Sequence, residues 1–149
     1  MLQLVRIFDD LPEDFDALVA EASGEGVRNM ALLAGSWRSG ARFQDDGEAL
    51  LAAFLAGTLA GTGGLSVETG AIEPARRLRR LYVSPRLRRQ GVATALASAL
   101  IHEGLDSVGL LTVNAAASPA AAPFWEAQGF VVDRSGPWTH VLRRSIQGE

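Results

Sequence analysis

The chain has 149 residues, of which 14 are basic and 17 are acidic, so its formal net charge is −3. This length corresponds to one ordinary domain with a sizeable core, and we treat residues 1–149 as a single domain. The sequence contains no cysteine, which excludes disulfides, thiolate nucleophiles and cysteine-based metal sites. It also contains no lysine, which excludes a P-loop and a pyridoxal Schiff base.

No apolar segment approaches the length of about 20 residues that a membrane-spanning helix needs. The most apolar run, residues 49–60, contains a glycine and a threonine near its end. At the N-terminus, Asp9 and Asp10 interrupt the chain before an apolar stretch reaches the length of a signal peptide. We therefore expect a cytoplasmic protein with no membrane partner.

Positive charge is concentrated in one segment. Residues 74–102 contain seven arginines and no acidic residue, whereas the rest of the chain holds the other seven arginines and all 17 acids. A positive segment in an acidic protein predicts one anionic ligand at one place rather than a nucleic-acid partner. The alternative interpretation is an arginine-rich strand that is simply solvated.

Strands and helices are predicted to alternate along the chain without a repeat or a linker. Apolar spacing, turn residues and helix-capping residues give strands at 2–8, 49–55, 58–67, 76–83, 108–113, 130–132 and 138–143, and helices at 12–22, 27–37, 91–103 and 119–128. The glycines between 61 and 64 predict a bent or bulged strand. Ser118 is the predicted cap of the last helix, and Pro123 requires either a place near its first turn or a later start. The pattern indicates one α/β domain with a mixed sheet.

The segment from Leu81 to Thr94 contains the clearest chemical signal. A strand ends at Val83, an arginine-bearing loop follows, and a helix begins at Gly91. The first turn of a helix leaves N–H groups unpaired and carries partial positive charge, which suits a phosphate. Glycine lets phosphates approach the backbone, and Arg88 and Arg89 offer further charge and paired donors.

These residues resemble a known family. The pattern Arg88-x-x-Gly91-x-Ala93 is similar to the acetyl-CoA motif of the GCN5-related N-acetyltransferases. The block Ser118–Phe130 resembles a later block of that family, and the hairpin that contains residues 61–64 resembles its second and third strands. Together these similarities span about residues 49 to 143.

The resemblance implies a mostly antiparallel mixed sheet, splayed at the cofactor site, with helices on both faces. It places the diphosphate of acetyl-CoA on backbone N–H groups and the pantetheine arm along the preceding strand. The Val83 N–H then polarises the thioester carbonyl, and Ser118 or Asn114 donates to the arm. The implied cofactor-binding residues are Leu81, Tyr82, Val83, Arg88, Arg89, Gln90, Gly91, Val92, Ala93, Thr94, Asn114, Ser118 and Trp125.

The sequence departs from the family pattern at two catalytic positions. Trp125 stands where many members have a tyrosine that protonates the thiolate, and an indole is not a useful acid. Arg77 stands where many members have a glutamate, and arginine cannot act as a base at neutral pH. Arg77 instead either pairs with a carboxylate of the acceptor or faces solvent.

Replacement groups for proton transfer have to come from elsewhere. The replacement base is Glu68, Glu73 or His140, and the replacement acid is Tyr82 or a water molecule, although each of these side chains also has an ordinary structural interpretation.

We therefore expect an acetyl-CoA-dependent N-acyltransferase in which an amine attacks the thioester directly, with no metal. The acceptor is an unidentified small molecule or a protein amine. The alternative is a CoA-binding module that has lost turnover, which the residues at 77 and 125 suggest. Edge strands in such a fold permit a homodimer, but the sequence does not fix its stoichiometry.

Overall fold

The structure, a computed structural model, describes residues 1–145. Its elements in chain order are β1 (Leu2–Arg6), α1 (Phe15–Gly24), α2 (Asn29–Arg38), β2 (Ala49–Leu55), β3 (Thr58–Val67), β4 (Ala75–Val83), α3 (Val92–Ser107), β5 (Leu110–Val113), α4 (Ala121–Ala127), β6 (Val131–Val132) and β7 (His140–Arg143). A short 3-10 turn, Pro85–Leu87, lies between β4 and α3. None of the helices within the described range has the length and apolar character that crossing a membrane requires.

The strands form one seven-stranded sheet in the order β1-β2-β3-β4-β5-β7-β6. All neighbours are antiparallel except β4 and β5, which are parallel. Their pairing ends at Arg77 and Thr112, although β4 continues to Val83. The two central strands therefore separate beyond that pair, which confirms the predicted mixed, mostly antiparallel and splayed sheet.

The two faces of the sheet bury separate apolar clusters. Helices α3 and α4 cover one face, where Leu96 and Phe130 pack against strand residues such as Leu78. Helices α1 and α2 cover part of the other face, where Leu18 and Met30 pack against its strands. Each helix turns an apolar side to the sheet, because burial of that side stabilises a helix more than its propensity does.

Helix α4 begins later than the predicted start at residue 119. Its N-cap is Ala120, and the side chain of Ser118 makes no capping hydrogen bond, so the predicted Ser118 cap is wrong. Pro123 is the third residue of the helix. A proline is tolerated there because the N–H groups of the first turn have no hydrogen-bond partner within the helix. The later start of α4 is one of the two alternatives that Pro123 required in the sequence analysis.

Helix α3 ends at Ser107, four residues beyond the predicted end. Gly104, predicted as a terminator, lies inside the helix and is fully buried. A Cβ on Gly104 would lie 2.7 Å from the Cδ2 atom of Leu111. This glycine therefore permits close packing of α3 on β5, and the helix continues past it.

Candidate functional site

The bend between β4 and α3 presents a row of backbone donors. From Arg88 to Thr94, no backbone N–H group donates to another protein atom in the described part of the chain. The first bond of α3 runs from the Ala95 N–H to the Gly91 carbonyl, at 3.0 Å. Gly91 is the N-cap and has φ of +82°, a conformation that favours glycine. The arrangement suits the phosphates of a bound anion.

The arginines of this bend differ in their partners. Arg86 forms an ion pair with Glu21 at 3.1 Å. Arg88 donates to both carboxylate oxygens of Glu25, at 2.7 and 2.9 Å, and its Nε donates to the Val83 carbonyl at 3.1 Å. Arg89 forms no ion pair with any residue from 1 to 145. The side chain of Arg88 therefore anchors the bend to α1, and Arg89 is the arginine with an uncommitted guanidinium.

The last residues of β4 direct backbone groups into the gap between β4 and β5. The Ser84 N–H donates to the Ala60 carbonyl of β3 at 2.7 Å, so the N–H groups of Val83 and Leu81 point away from β3 by the alternation of an antiparallel pair. On that side β5 no longer pairs with β4. These N–H groups therefore line the gap. The resemblance implied that the pantetheine arm lies there, along β4.

Two β-bulges shape this region. On β3, Ala60 is an extra residue between the pairs Phe54–Leu59 and Ala53–Gly61, which confirms the predicted irregular strand. On β4 the extra residue is Arg80, with φ of +60°, and its carbonyl accepts from the Thr62 Oγ1 at 3.1 Å. The sequence did not predict this second bulge, because an arginine in a left-handed conformation carries no local signal.

Gly61 allows β3 to approach the end of β4 closely. A Cβ on Gly61 would lie 2.4 Å from the Tyr82 carbonyl oxygen and 3.1 Å from the Cα atom of Val83. No side chain fits in that space without moving the backbone that carries the Val83 N–H. The glycine therefore fixes the position of this donor.

Tyr82, the predicted replacement acid, points toward α1 and not into the gap between the strands. Its side chain belongs to the cluster beneath α1 and α2, and its hydroxyl donates to Glu25. Burial raises the pKa of the Tyr82 hydroxyl, and its hydrogen bond to Glu25 raises that pKa further. A group with a raised pKa is a weaker acid, so the structure does not support Tyr82 as the proton donor.

The three predicted replacement bases lie in different places. Glu73 pairs with Arg143 at 3.1 Å, close to the start of β4 and far from its splayed end. The Nε2 atom of His140 lies 2.9 Å from a carboxylate oxygen of Glu126 on α4, and His140 is only 4% exposed. Glu68 accepts from the Thr112 hydroxyl at 2.8 Å, at the point where β4 and β5 separate. Of the three, Glu68 is the one beside the last β4–β5 pair, but its N–H donates to the Ala75 carbonyl at the start of β4, and Val83 lies at the other end of that strand.

The remaining predicted contacts, Asn114, Ser118 and Trp125, follow β5 in the chain. Asn114 follows β5 directly, and its Oδ1 accepts from the Ala116 N–H at 3.0 Å, which leaves its NH₂ group for another acceptor. Ser118 is half-buried in the loop before α4. Trp125 is buried in the core, with its ring centroid 5.3 Å from that of Phe130.

Within residues 1–145, no group of three His, Asp or Glu side chains is positioned to hold a metal ion.

The splayed strands and the donor row form a site whose geometry suits a phosphate-bearing molecule beside β4. The sequence model of the acetyltransferase (GNAT) domain matches residues 18–138. The chain therefore belongs to the GNAT acetyltransferase family, and it is an N-acetyltransferase.

Solved structures agree with this assignment. A protein from Exiguobacterium sp. 255-15, named as an acetyltransferase, is 27% identical with a TM-score of 0.83, over 96% of this chain and 93% of its own. The PaiA N-acetyltransferase of Thermoplasma acidophilum, solved with coenzyme A, is 16% identical with a TM-score of 0.65, over 98% and 99% of the two chains. The latter similarity concerns the fold alone. A comparison with curated protein sequences gave no match.

Proposed function

We propose that this N-acetyltransferase uses acetyl-CoA and transfers its acetyl group directly to the amine of a small molecule or a protein. The observation that carries this proposal is the unpaired N–H row from Arg88 to Thr94, placed at the end of the gap between β4 and β5. A diphosphate fits this row, and an extended arm fits the gap. The similar fold of the Thermoplasma protein solved with coenzyme A supports the choice of cofactor.

The reaction can be written as one balanced exchange. The amine nitrogen forms a bond to the acyl carbon, the bond between that carbon and sulfur breaks, and the electron pair leaves with the sulfur. The amine loses one proton, and the departing thiolate gains one. When bound, acetyl-CoA supplies the activated acyl group, and the protein supplies orientation, charge stabilisation and proton transfer.

Val83 is the residue that we assign to charge stabilisation. Its N–H points into the gap, and Gly61 opposite holds the strand in place. A fixed N–H directed at the acyl oxygen stabilises the negative charge that grows there during the attack. Leu81, two residues earlier, offers a second N–H to the pantetheine arm, and Asn114 offers a side-chain amide from the other wall.

The carboxylate of Glu68 accepts hydrogen bonds from the hydroxyl of Thr112 at 2.8 Å and from the Gly70 N–H at 3.0 Å. Thr112 pairs with Arg77, six residues or about 20 Å along β4 from Val83, so Glu68 is out of reach of an amine that attacks an acyl group held by Val83. We therefore assign removal of the amine proton to a water molecule. We assign protonation of the thiolate to water, because Tyr82 is a weak acid and Trp125 is not one.

Two measurements test this function. Calorimetry with CoA should give binding, and release of free thiol from acetyl-CoA should depend on an added amine, in a panel that includes amino acids, polyamines, aminoglycosides and peptides. An aminoglycoside is included because one similar structure is an aminoglycoside acetyltransferase, 18% identical. Binding of CoA without turnover of any amine would favour a cofactor-binding module. Absence of CoA binding would overturn the proposal.

The homodimer and the cytoplasmic location remain predictions. Edge strand β6 carries Val131 and Val132 with 60% and 55% exposure, which is compatible with pairing between two copies. Sedimentation at several protein concentrations tests the dimer.

A further inference from the structure

A strip of polar side chains crosses the sheet on the face that carries α1 and α2. Ser66 on β3, Arg77 on β4 and Thr112 on β5 are directly paired across the strands, so their side chains lie on one face. Helices α3 and α4 cover the opposite face. Ser66 and Thr112 are buried, at 7% and 0% exposure, so Arg77 is the residue of this strip that an acceptor can reach, just before the gap begins.

Three arginines of β4 are associated with this strip. Arg77 and Arg79 are two residues apart on the same face, about 7 Å along the strand, and Arg80 follows in the bulge. All three are half-buried, and none forms an ion pair within residues 1–145. The Nε atoms of Arg79 and Arg80 are buried without a hydrogen-bond partner. The same holds for the hydroxyl of Ser66, a residue that is only 7% exposed.

These arginines repel one another. Burial, then the charges of Arg80 and Arg77 in that order of size, lower the pKa of Arg79 to about 10. Burial and then the charge of Arg77 also lower the pKa of Arg80. Glu48 and Glu68 act in the opposite direction on Arg79, but more weakly. The cluster therefore remains positively charged near neutral pH, with donors that no protein group satisfies.

We propose that Arg77, Arg79 and Arg80 bind a compact oxyanion, a carboxylate or a phosphate, that the acceptor carries in addition to its amine. Arginine suits such a group because its planar fork donates two parallel hydrogen bonds to it. The inference rests on the proposed function, since it places the amine at the acyl carbon beside the Val83 N–H and the oxyanion on the arginines. It assigns the acceptor to the class of amino acids or phosphorylated amines and excludes polycations.

Matched pairs of acceptors test the inference. With acetyl-CoA saturating, thiol release is measured for the L-amino acids against their C-terminal amides, and for O-phosphoethanolamine against ethanolamine. We expect the anionic member of at least one pair to have the higher kcat/KM, by about 10- to 100-fold, the effect of a hydrogen bond to a charged group. The two kinds of pair distinguish a carboxylate from a phosphate. Neutral members or spermidine reacting as well as the anionic ones would overturn the inference.

Two variants test whether the arginines of this strip cause the preference for an anionic acceptor. Arg79→Gln should lower kcat/KM for the anionic acceptor about 10- to 100-fold, mainly through KM, and should leave the neutral acceptor unchanged. Arg76→Gln is the matched control, because Arg76 lies on the same strand but on the opposite face, against Gly47. The melting temperature of Arg79→Gln without ligand should be equal to that of the wild type or higher, since a repulsive charge is removed. An equal loss of kcat/KM for the anionic acceptor in Arg79→Gln and Arg76→Gln would contradict the inference.

A binding measurement tests recognition of the oxyanion without requiring turnover. The CoA-saturated protein is titrated by calorimetry with N-acetylglycine and N-acetylglycinamide, and with O-phosphoethanolamine and ethanolamine. Tighter binding of an anionic member, weakened in Arg79→Gln and unchanged in Arg76→Gln, supports the inference. Equal binding within both pairs overturns it and leaves the proposed function intact, whereas failure of CoA itself to bind overturns the proposed function.

Discussion

Arg88 and Glu25 form an ion pair through two hydrogen bonds, with nitrogen–oxygen distances of 2.7 and 2.9 Å, that ties the bend before α3 to the residue that ends α1. The same guanidinium also donates to the Val83 carbonyl and lies over the ring of Tyr82, 5.6 Å from its centroid. The pair therefore links the bend proposed to bind phosphate, the end of β4 and the first helix.

The consequence is a separation of roles between neighbouring arginines. We expect Arg89→Ala to lower the affinity for CoA by about 1–3 kcal/mol, the usual range for a hydrogen bond to a charged group. Arg88→Ala should cost about 1 kcal/mol or less of folding stability, because both partners are substantially exposed, at 44% and 33%. Calorimetry with CoA and denaturant unfolding measure the two quantities. A larger loss of CoA affinity in Arg88→Ala than in Arg89→Ala would refute this division.

Substitution of Gly91 tests whether the bend requires the left-handed backbone conformation at this residue. A Cβ at this position meets no atom within 4 Å, so Gly91→Ala introduces no clash, and its effect is conformational. An L-residue at φ of +82° costs about 1–2 kcal/mol, which we expect as lost stability or as a reoriented donor row with weaker CoA binding. Gly109→Ala is the control, because it also has open space but no positive φ. Identical behaviour of the two variants in unfolding and in calorimetry would argue against this requirement.

Glu68 is the predicted base beside the last β4–β5 pair, but Val83 lies six residues further along β4 than Arg77, about 20 Å away. Glu68→Gln keeps the side-chain shape and an oxygen for the Thr112 hydroxyl but cannot accept a proton. A positioned base contributes about 10²- to 10⁴-fold to the rate, so we expect kcat in Glu68→Gln to stay within a few-fold of the wild type, with little change in CoA affinity. Glu73→Gln is the matched control, since Glu73 pairs with Arg143 away from the gap. Steady-state kinetics of thiol release measure both, and a loss of kcat of about 10²-fold or more in Glu68→Gln alone would return this residue to the mechanism.

Asp133 makes the loop before β7 sensitive to acid. Hydrogen bonds from the Ser135 hydroxyl, then from the Trp138 indole and the Ser135 N–H, lower the pKa of this carboxyl from 3.8 to about 2. A lowered pKa in the folded state means a stabilising contribution that is present above pH 3.8 and is lost as the pH falls toward 2. Trp138 fluorescence should therefore change in that window.

Two variants isolate this titration. Asp133→Asn cannot ionise, so the part of the fluorescence change that belongs to the loop should disappear. Trp138→Phe removes the reporter and leaves the signals of Trp37 and Trp125, which serve as the background. An acid transition of the same size in Asp133→Asn as in the wild type would assign it to other groups.

Local features of the sequence were enough to predict the elements around the proposed cofactor site. The transition from strand to arginine-bearing bend to glycine-started helix is encoded within residues 81–94, and the structure places each of these elements there. The late start of α4 and the bulge at Arg80 were harder to predict from the sequence. The first depends on how the chain before Pro123 packs, and the second on a mismatch between β3 and β4, and neither is a local property.

The ion-pair partners and the position of Glu68 came only from the fold. Glu25 is 63 residues from Arg88, and Glu68 is 44 residues from Thr112, so no spacing rule connects them. Arg77 was recognised in the sequence as a departure from the family pattern, with two open interpretations. Its position between Ser66 and Thr112 on the less covered face is what favours an acceptor contact.

The sequence by itself determined the family, the order of elements and the donor row at the start of α3, because periodicity, turn residues and a helix start are properties of short segments. Only the tertiary structure decided which arginines are paired, which carboxylate lies at the gap and which face carries the unpaired charge. The physical reason is that electrostatic partners are selected by distance in space, and pairing across the sheet brings together residues that are remote in the chain.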